Sequence, residues 1–189
     1  NGEKMWITNG GFADVFIVFA KLGGEEFTAF IVERNVQGVS SGKEERKMGL
    51  YGSSTTSVIF QNAKIPQESL LGNIGKGHKV AFNILNYARF KLGAAATGSS
   101  LAAIGEAARY ANQRKQFGQA IGKFGAIKHK LGEMTAQAYA AESMIYRVAG
   151  LLDRTLKNNS LDDNTTLLAA LEDLSVESSI VKVANSEML

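Results

Sequence analysis

The 189-residue sequence contains no cysteine, one proline, two histidines and one tryptophan. Without cysteine there can be no disulfide, no thiolate metal ligand and no cysteine nucleophile. Only His78 and His129 could supply imidazole, which argues against zinc chemistry and hydrolytic triads, so no metal site is expected. No run of about 18 apolar residues is present and no signal peptide opens the chain, so the sequence reads as soluble and intracellular. The sequons at Asn158 and Asn164 are then accidental. Twenty-one Lys and Arg against eighteen Asp and Glu give a formal charge of only +3. With no long basic run, nucleic acid is not an expected partner. What remains is an ordinary globular composition, 45% hydrophobic and 21% charged, sufficient for one domain or two small ones. The chain begins at Asn1 in what reads as a turn into a strand and stops at Leu189 within a helical pattern, so it is expected to be a piece of a larger protein.

The residue pattern predicts an α+β fold with two parts. Residues 1–76 read as a small antiparallel β-domain. Runs rich in Phe, Val, Ile and Thr over residues 15–20, 27–32 and 55–60 suit a pleated sheet, and the Gly10-Gly11, Gly23-Gly24 and Gly49 to Gly52 segments punctuate them. Pro66 and then Gly72, Gly75 and Gly77 end regular strand structure. Residues 77–189 switch to Ala, Leu, Gln, Glu and Lys without proline and read as long helices of the four-helix-bundle type. A first helix is predicted from His78 to Gln113. A second carries Ile127, Leu131, Met134, Ala138, Ala141, Ile145, Val148 and Leu152 at alternating spacings of four and three, a stripe for near-antiparallel packing. A polar stretch from Lys157 to Asn164 interrupts, and a third helix from Thr165 turns Leu167, Leu171, Leu174, Val181 and Met188 to the same core.

Two segments carry chemical character. In Lys4-Met5-Trp6-Ile7-Thr8-Asn9-Gly10, strand alternation would project Trp6 and Thr8 to one side, an aromatic plane beside a hydroxyl. Such a pair suits a flat heteroaromatic ligand, although a lone tryptophan on a strand more often packs in a core. In Arg114-Lys115-Gln116-Phe117-Gly118, between the first two helices, a guanidinium, an amide and a phenyl ring meet at a glycine turn. That set could grip a pyrophosphate, or it could be a solvated basic turn anchored by Phe117.

These two segments, with Asn83-Ile84-Leu85-Asn86-Tyr87-Ala88-Arg89-Phe90 on the first helix, occur in the order and spacing found in acyl-CoA dehydrogenases. The chain resembles that family along essentially its whole length, and its Ile84-Leu85-Asn86 and Arg89-Phe90 wording is most similar to the very-long-chain branch. The resemblance implies FAD as cofactor, with Trp6, Ile7 and Thr8 against the flavin. Arg114, Gln116 and Phe117 would hold the pyrophosphate and adenosine side of a neighbouring subunit's FAD, so a homodimer or dimer of dimers is implied. Phe124 and Gly125 match a further FAD-contacting position where many relatives carry His-Gln, which leaves a backbone contact. Asn86, where many relatives have Asp, and Arg89 match positions that contact the acyl-CoA substrate. The family removes an α-proton with a glutamate while the β-hydride passes to flavin, and its electrons go to electron-transfer flavoprotein. Most branches place that glutamate in a Glu-Gly-Thr motif, which this sequence lacks. Others place it immediately before the position of Arg89, where Ala88 stands here.

No catalytic residue is therefore expected in this chain, and the base is expected beyond Leu189. Glu106, Glu133, Glu142, Glu172 and Glu177 read as solvated helix faces or bundle ion pairs. The 189 residues alone are expected to be inactive. Gly93, Ala94, Ala95 and Ala96 would either leave room for an acyl chain or serve tight helix packing. The resemblance places such an enzyme in the cytoplasm of a bacterium, or in the mitochondrial matrix or at the inner-membrane face of a eukaryote. An acyl-CoA oxidase on the same scaffold and a non-catalytic bundle protein are the competing readings.

Overall fold

The computed structural model describes residues 1–157 and 164–189. They form two compact units, Asn1–Ala81 and Phe82–Leu189. The first unit holds two three-stranded antiparallel sheets. One has β1 (Gly2–Thr8), β5 (Thr55–Phe60) and β4 (Val39–Ser41) in that order, and the other has β2 (Val15–Leu22), β3 (Glu26–Glu33) and β6 (Leu70–Leu71). The three runs expected as strands are β2, β3 and β5, the first two lengthened by a residue or two. β2 and β3 pair without interruption from Val15↔Glu33 to Leu22↔Glu26. The chain reverses between them at Gly23 and Gly24, both in the left-handed region at φ 60° and 87°, where a Cβ would be strained. Phe16, Thr28, Ala29, Val32, Thr56 and Val58 are buried, and Phe19 stacks on Phe27 at 5.6 Å. The short strands β4 and β6 went unread because two or three residues carry no periodicity.

Between β4 and β5 the chain makes a long excursion whose tip exposes Met48, Leu50 and Tyr51. Its base is fastened by Glu44, which accepts from Ser54 Oγ at 2.5 Å and from the Thr55 amide at 2.9 Å, and by Lys47, which donates to Thr55 Oγ1 at 3.1 Å and to Ser53 O. The Ser54 hydroxyl, the Thr55 amide and the Lys47 charge together hold the Glu44 carboxyl below its ordinary range, against a smaller opposing effect of burial. A depressed folded-state value means that the stabilisation is present above the unfolded pKa and lost as pH falls through the folded one. Thermal midpoints measured from about pH 6 down to about pH 3 should fall in the wild type, with a shallower fall in Glu44→Gln. Equal slopes would show that the carboxylate contributes nothing.

The second unit is helical. α1 (Gly77–Gln113) continues into it from the first, and α2 (Gly125–Leu156), α3 (Asn164–Asp173) and α4 (Ser175–Met188) follow. Every member of the α2 stripe from Ile127 to Leu152 is buried or half-buried, so the spacing of fours and threes does face a core. The single third helix expected after Thr165 is instead two, broken at Leu174, which leaves helical geometry at φ −94° and ψ 18°. Asp173 and Ser175 flank the break, and short polar side chains of that kind compete with the helical backbone for hydrogen bonds. The polar interruption at residues 158–163, with the Asn158 sequon, lies outside the described residues.

α1 and α4 approach closely where Gly93 meets Val181: a Cβ at Gly93 would overlap Val181 Cγ1 and stand 3.1 Å from Val181 O. One turn along both helices, the fully buried Asn185 sends its Nδ2 to Thr97 Oγ1 at 2.9 Å, Ala141 O at 3.3 Å and Gly93 O at 3.4 Å, joining α1, α2 and α4. Gly93 thus serves tight packing, and Ala96 on the same helix is buried. Among the described residues no helix is long and apolar enough to cross a membrane.

Candidate functional site

β1 is not a regular strand. Its pairing runs Lys4↔Val58 and then Ile7↔Thr56, so Met5 and Trp6 together oppose Ser57 in a β-bulge. Trp6 sits in the left-handed region at φ 54°, uncommon for any residue with a Cβ. Simple alternation, from which Trp6 and Thr8 were expected to share a face, is therefore broken inside the segment. The bulge leaves Trp6 70% exposed and Thr8 exposed, whereas Ile7 is half-buried beside Lys4, Phe16 and Val58 in the cleft between the sheets. Trp6 is not a core residue within this unit. Its indole and the Thr8 hydroxyl are available to a planar ligand with a polar edge.

The turn after β1 is tied down from two directions. Asn9, at φ 63°, donates its amide to Ser54 O at 3.0 Å, and the Gly11 amide donates to Ser54 Oγ at 3.1 Å. From the other side, Arg34 on the loop after β3 donates Nη2 to Gly10 O at 2.7 Å and Nε to Ala13 O at 2.5 Å. Its Nη1 reaches Ser41 Oγ at 2.9 Å, and that hydroxyl donates to Gly10 O at 2.6 Å. Sequence reasoning missed Arg34 and Ser41. Their partners lie 24 and 31 positions away, and no local pattern announces such a contact.

In the helical unit, Arg114, Gln116 and Phe117 lie on a hairpin of β7 (Lys115–Gln116) and β8 (Gln119–Ala120) that follows α1. Its turn residues Phe117 and Gly118 both have positive φ, 53° and 80°, the left-handed pair that a two-residue hairpin requires. This geometry drives Phe117 outward, 92% exposed, instead of anchoring the turn in the core. Arg114 is exposed and makes no ion pair among the described residues, and the Gln116 amide donates to Lys115 O at 2.8 Å. Phe124 stands edge-on to Phe117 at 6.2 Å, so these two expected contact residues are brought together. Gly125 opens α2, whose first turn has no side-chain cap. The exposed Arg114 guanidinium and Phe117 ring give this hairpin groups suited to an anion with an aromatic appendage.

On α1, Asn86 is only 3% exposed. Its amide is already engaged, accepting from Arg89 Nη1 at 3.0 Å and donating to Leu171 O on α3 at 3.3 Å. Within this unit Asn86 supports the half-buried Arg89. Ala88 offers no carboxylate. Of the carboxylates set aside on sequence, Glu106 pairs with Arg109 at 2.5 Å and Glu133 with His129 at 3.4 Å, both exposed. Glu177 departs from that description, because its Oε2 is buried without a hydrogen-bond partner among the described residues. Trp6, Ile7 and Thr8 belong to the first unit and the other expected site residues to the second.

Comparison with known proteins covers both units. Residues 1–63 match the family model for the acyl-CoA dehydrogenase middle domain, and residues 75–189 match that for the acyl-CoA dehydrogenase C-terminal domain. A probable acyl-CoA dehydrogenase of Bacillus subtilis is 47% identical across the whole chain, which spans 32% of that protein. The mitochondrial very long-chain specific acyl-CoA dehydrogenase of Rattus norvegicus is 40% identical over 99% of the chain and 28% of its own length. Among solved structures, an acyl-CoA dehydrogenase from Bacillus anthracis complexed with FAD superposes with a TM-score of 0.93 at 50% identity, over all of this chain and 33% of that one. The chain thus spans about a third of the length of each of these three proteins.

Proposed function

The chain belongs to the acyl-CoA dehydrogenase family, and on that footing we propose that it forms part of an FAD-dependent enzyme that converts long- or very-long-chain acyl-CoA to trans-2-enoyl-CoA. The observation that carries this reading is the exposure of the two motif sets. Trp6 and Thr8 stand clear of one unit, and Arg114 and Phe117 clear of the other, where a buried tryptophan and a phenylalanine anchor would have meant packing alone. Their chemistry fits the cofactor: an aromatic plane and a hydroxyl for the isoalloxazine, and a guanidinium, an amide and aromatic edges for the pyrophosphate and adenosine. When bound, FAD supplies the acceptor for the β-hydride.

In this reading Trp6 limits the flavin's approach on one face and Thr8 offers a hydrogen bond at its edge. Arg114 and Gln116 neutralise and orient the pyrophosphate of FAD held by a neighbouring copy, Phe117 covers its adenosine side, and Phe124 and Gly125 contribute backbone. The site is then completed by a homodimer or dimer of dimers. Arg89, held by Asn86, faces the CoA thioester's polar portion. With alanine at position 88, the base that takes the α-proton comes from outside residues 1–189, and the electrons leave to electron-transfer flavoprotein.

Two measurements on the intact enzyme test this. Arg114→Ala should weaken FAD binding about ten- to a hundredfold, the equivalent of one charge-assisted hydrogen-bond pair. Anaerobic mixing with acyl-CoAs from butyryl to stearoyl should bleach the flavin band, fastest with the long chains. No bleaching by any acyl-CoA would sink the proposal, a short-chain optimum would remove the chain-length assignment, and fast reoxidation in air with peroxide release would make the enzyme an oxidase.

A further inference from the structure

Trp6 and Asn9 both hold left-handed backbone conformations although neither is glycine. Each such residue costs on the order of 1–3 kcal/mol and persists only where its surroundings dictate it. Besides the Ser54 contacts, two side chains that hold the turn after Thr8 converge on one carbonyl. Gly10 O accepts both Arg34 Nη2 at 2.7 Å and Ser41 Oγ at 2.6 Å. The same guanidinium takes Ala13 O at 2.5 Å through Nε and Ser41 Oγ at 2.9 Å through Nη1, so all three of its nitrogens are committed to one turn and its brace. It also lies over the Phe16 ring, 5.3 Å from the centroid, which fixes its plane. Among the described residues no carboxylate pairs with it. An arginine spent on two carbonyls and a hydroxyl is not there for a salt bridge. What it provides is the planar fork, which a lysine cannot reproduce.

We propose that Arg34 is a positioning residue for the flavin-facing segment: by clamping Gly10 and Ala13, with Ser41 as a second donor, it fixes the backbone path that keeps Trp6 and Thr8 presented outward. The inference rests on the flavin reading of Trp6 to Thr8 for its effect on cofactor, but the clamp acts on the strand whether or not flavin is bound. Removing the fork frees Gly10 O of one charged donor and Ala13 O of its donor, and the turn relaxes toward conformations that relieve Trp6 and Asn9.

The test uses Arg34→Lys, Arg34→Met and the milder Ser41→Ala in the intact holoenzyme. Three readouts are compared with wild type: FAD dissociation constant, flavin visible absorption, and the Trp6 emission component obtained by difference from Trp6→Phe. Both Arg34 variants are expected to weaken FAD binding about tenfold, close to the contribution of one hydrogen bond to a charged group, to shift the flavin band and to move Trp6 emission. Ser41→Ala should move all three in the same direction by less, and it carries the test should Arg34→Met fail to fold. A general loss of stability would lower the melting midpoint while leaving band and emission in place, and that result overturns the proposal. So does full rescue by lysine, which would assign the effect to charge and not to the fork. If wild type takes up no FAD, the flavin reading fails, while the Trp6 emission shift still decides whether Arg34 holds the strand.

Discussion

Asn185→Asp is expected to cost about 3–5 kcal/mol at neutral pH, the scale for a buried charge without a partner, and to melt the helical unit well below the wild-type temperature. The two side chains have nearly the same shape, so neither cavity nor overpacking enters. The change is confined to one atom. Where Nδ2 now donates toward Thr97 Oγ1, Ala141 O and Gly93 O, the aspartate would present an oxygen to three oxygens. Thr97 cannot rescue it without loss, because its hydroxyl proton already goes to Gly93 O at 2.9 Å. Burial and the surrounding acceptors would push the new carboxyl's pKa up, since the protonated acid can donate where the anion cannot. A raised folded-state pKa means that the variant recovers as pH falls and is worst at high pH. Asn185→Leu should be milder, because the present amide already leaves Oδ1 buried without a partner among the described residues, and leucine removes that orphan along with the three donations. Far-UV circular dichroism melts across pH would show the order, with wild-type stability for Asn185→Asp at neutral pH the result that refutes the account.

Gly10→Ala is the second substitution expected to act strongly, at about 1–3 kcal/mol for overpacking a tight site, with an added loss of flavin affinity under the proposed function. Gly10 is buried, and a methyl there would stand 2.5 Å from Thr56 Oγ1, 2.9 Å from Ile7 O and 3.3 Å from Ile7 Cβ. The nearest of these atoms is a side-chain hydroxyl that is itself buried without a hydrogen-bond partner among the described residues. Trimming it with Thr56→Ala should therefore recover part of the loss, but not all, because Ile7 O is backbone and cannot be trimmed. Urea denaturation of the two single variants and the double variant measures that coupling. Full additivity of the two singles would mean that the methyl never meets Thr56.

The elements with a repeating pattern were legible in the sequence. The α2 stripe and the β2, β3 and β5 runs each repeat their signal several times, so neighbouring residues corroborate one another. The break at Leu174 rests on three residues inside an apolar pattern that continues across it, and periodicity cannot see so local a departure. At the candidate site, residue types were legible but environments were not. Phe117 could be a core anchor or an exposed ring until the positive φ of both turn residues sent it outward. Asn86 carried no sign of its burial or of its hydrogen bonds to Arg89 and Leu171. Arg34 could not be found at all, because a guanidinium on distant backbone carbonyls leaves no trace in the sequence around it.

The bulge in β1 is in the end a matter of parity. In an unbroken strand, positions 4, 6 and 8 would share a face, and Lys4 lies on the inner one, where it lines the cleft and donates to Phe19 O at 2.7 Å. Even-numbered counting would have carried Trp6 and Thr8 inward with it. The one surplus residue between Lys4 and Ile7 reverses the count, so that Ile7 joins Lys4 inside while the indole and the hydroxyl come out. Under the proposed function, sheet packing and ligand contact thereby draw on alternate members of a seven-residue strand without sharing a side chain. A change in the length of the segment by one residue would exchange the two sets, turning Trp6 and Thr8 toward the sheets and Ile7 outward.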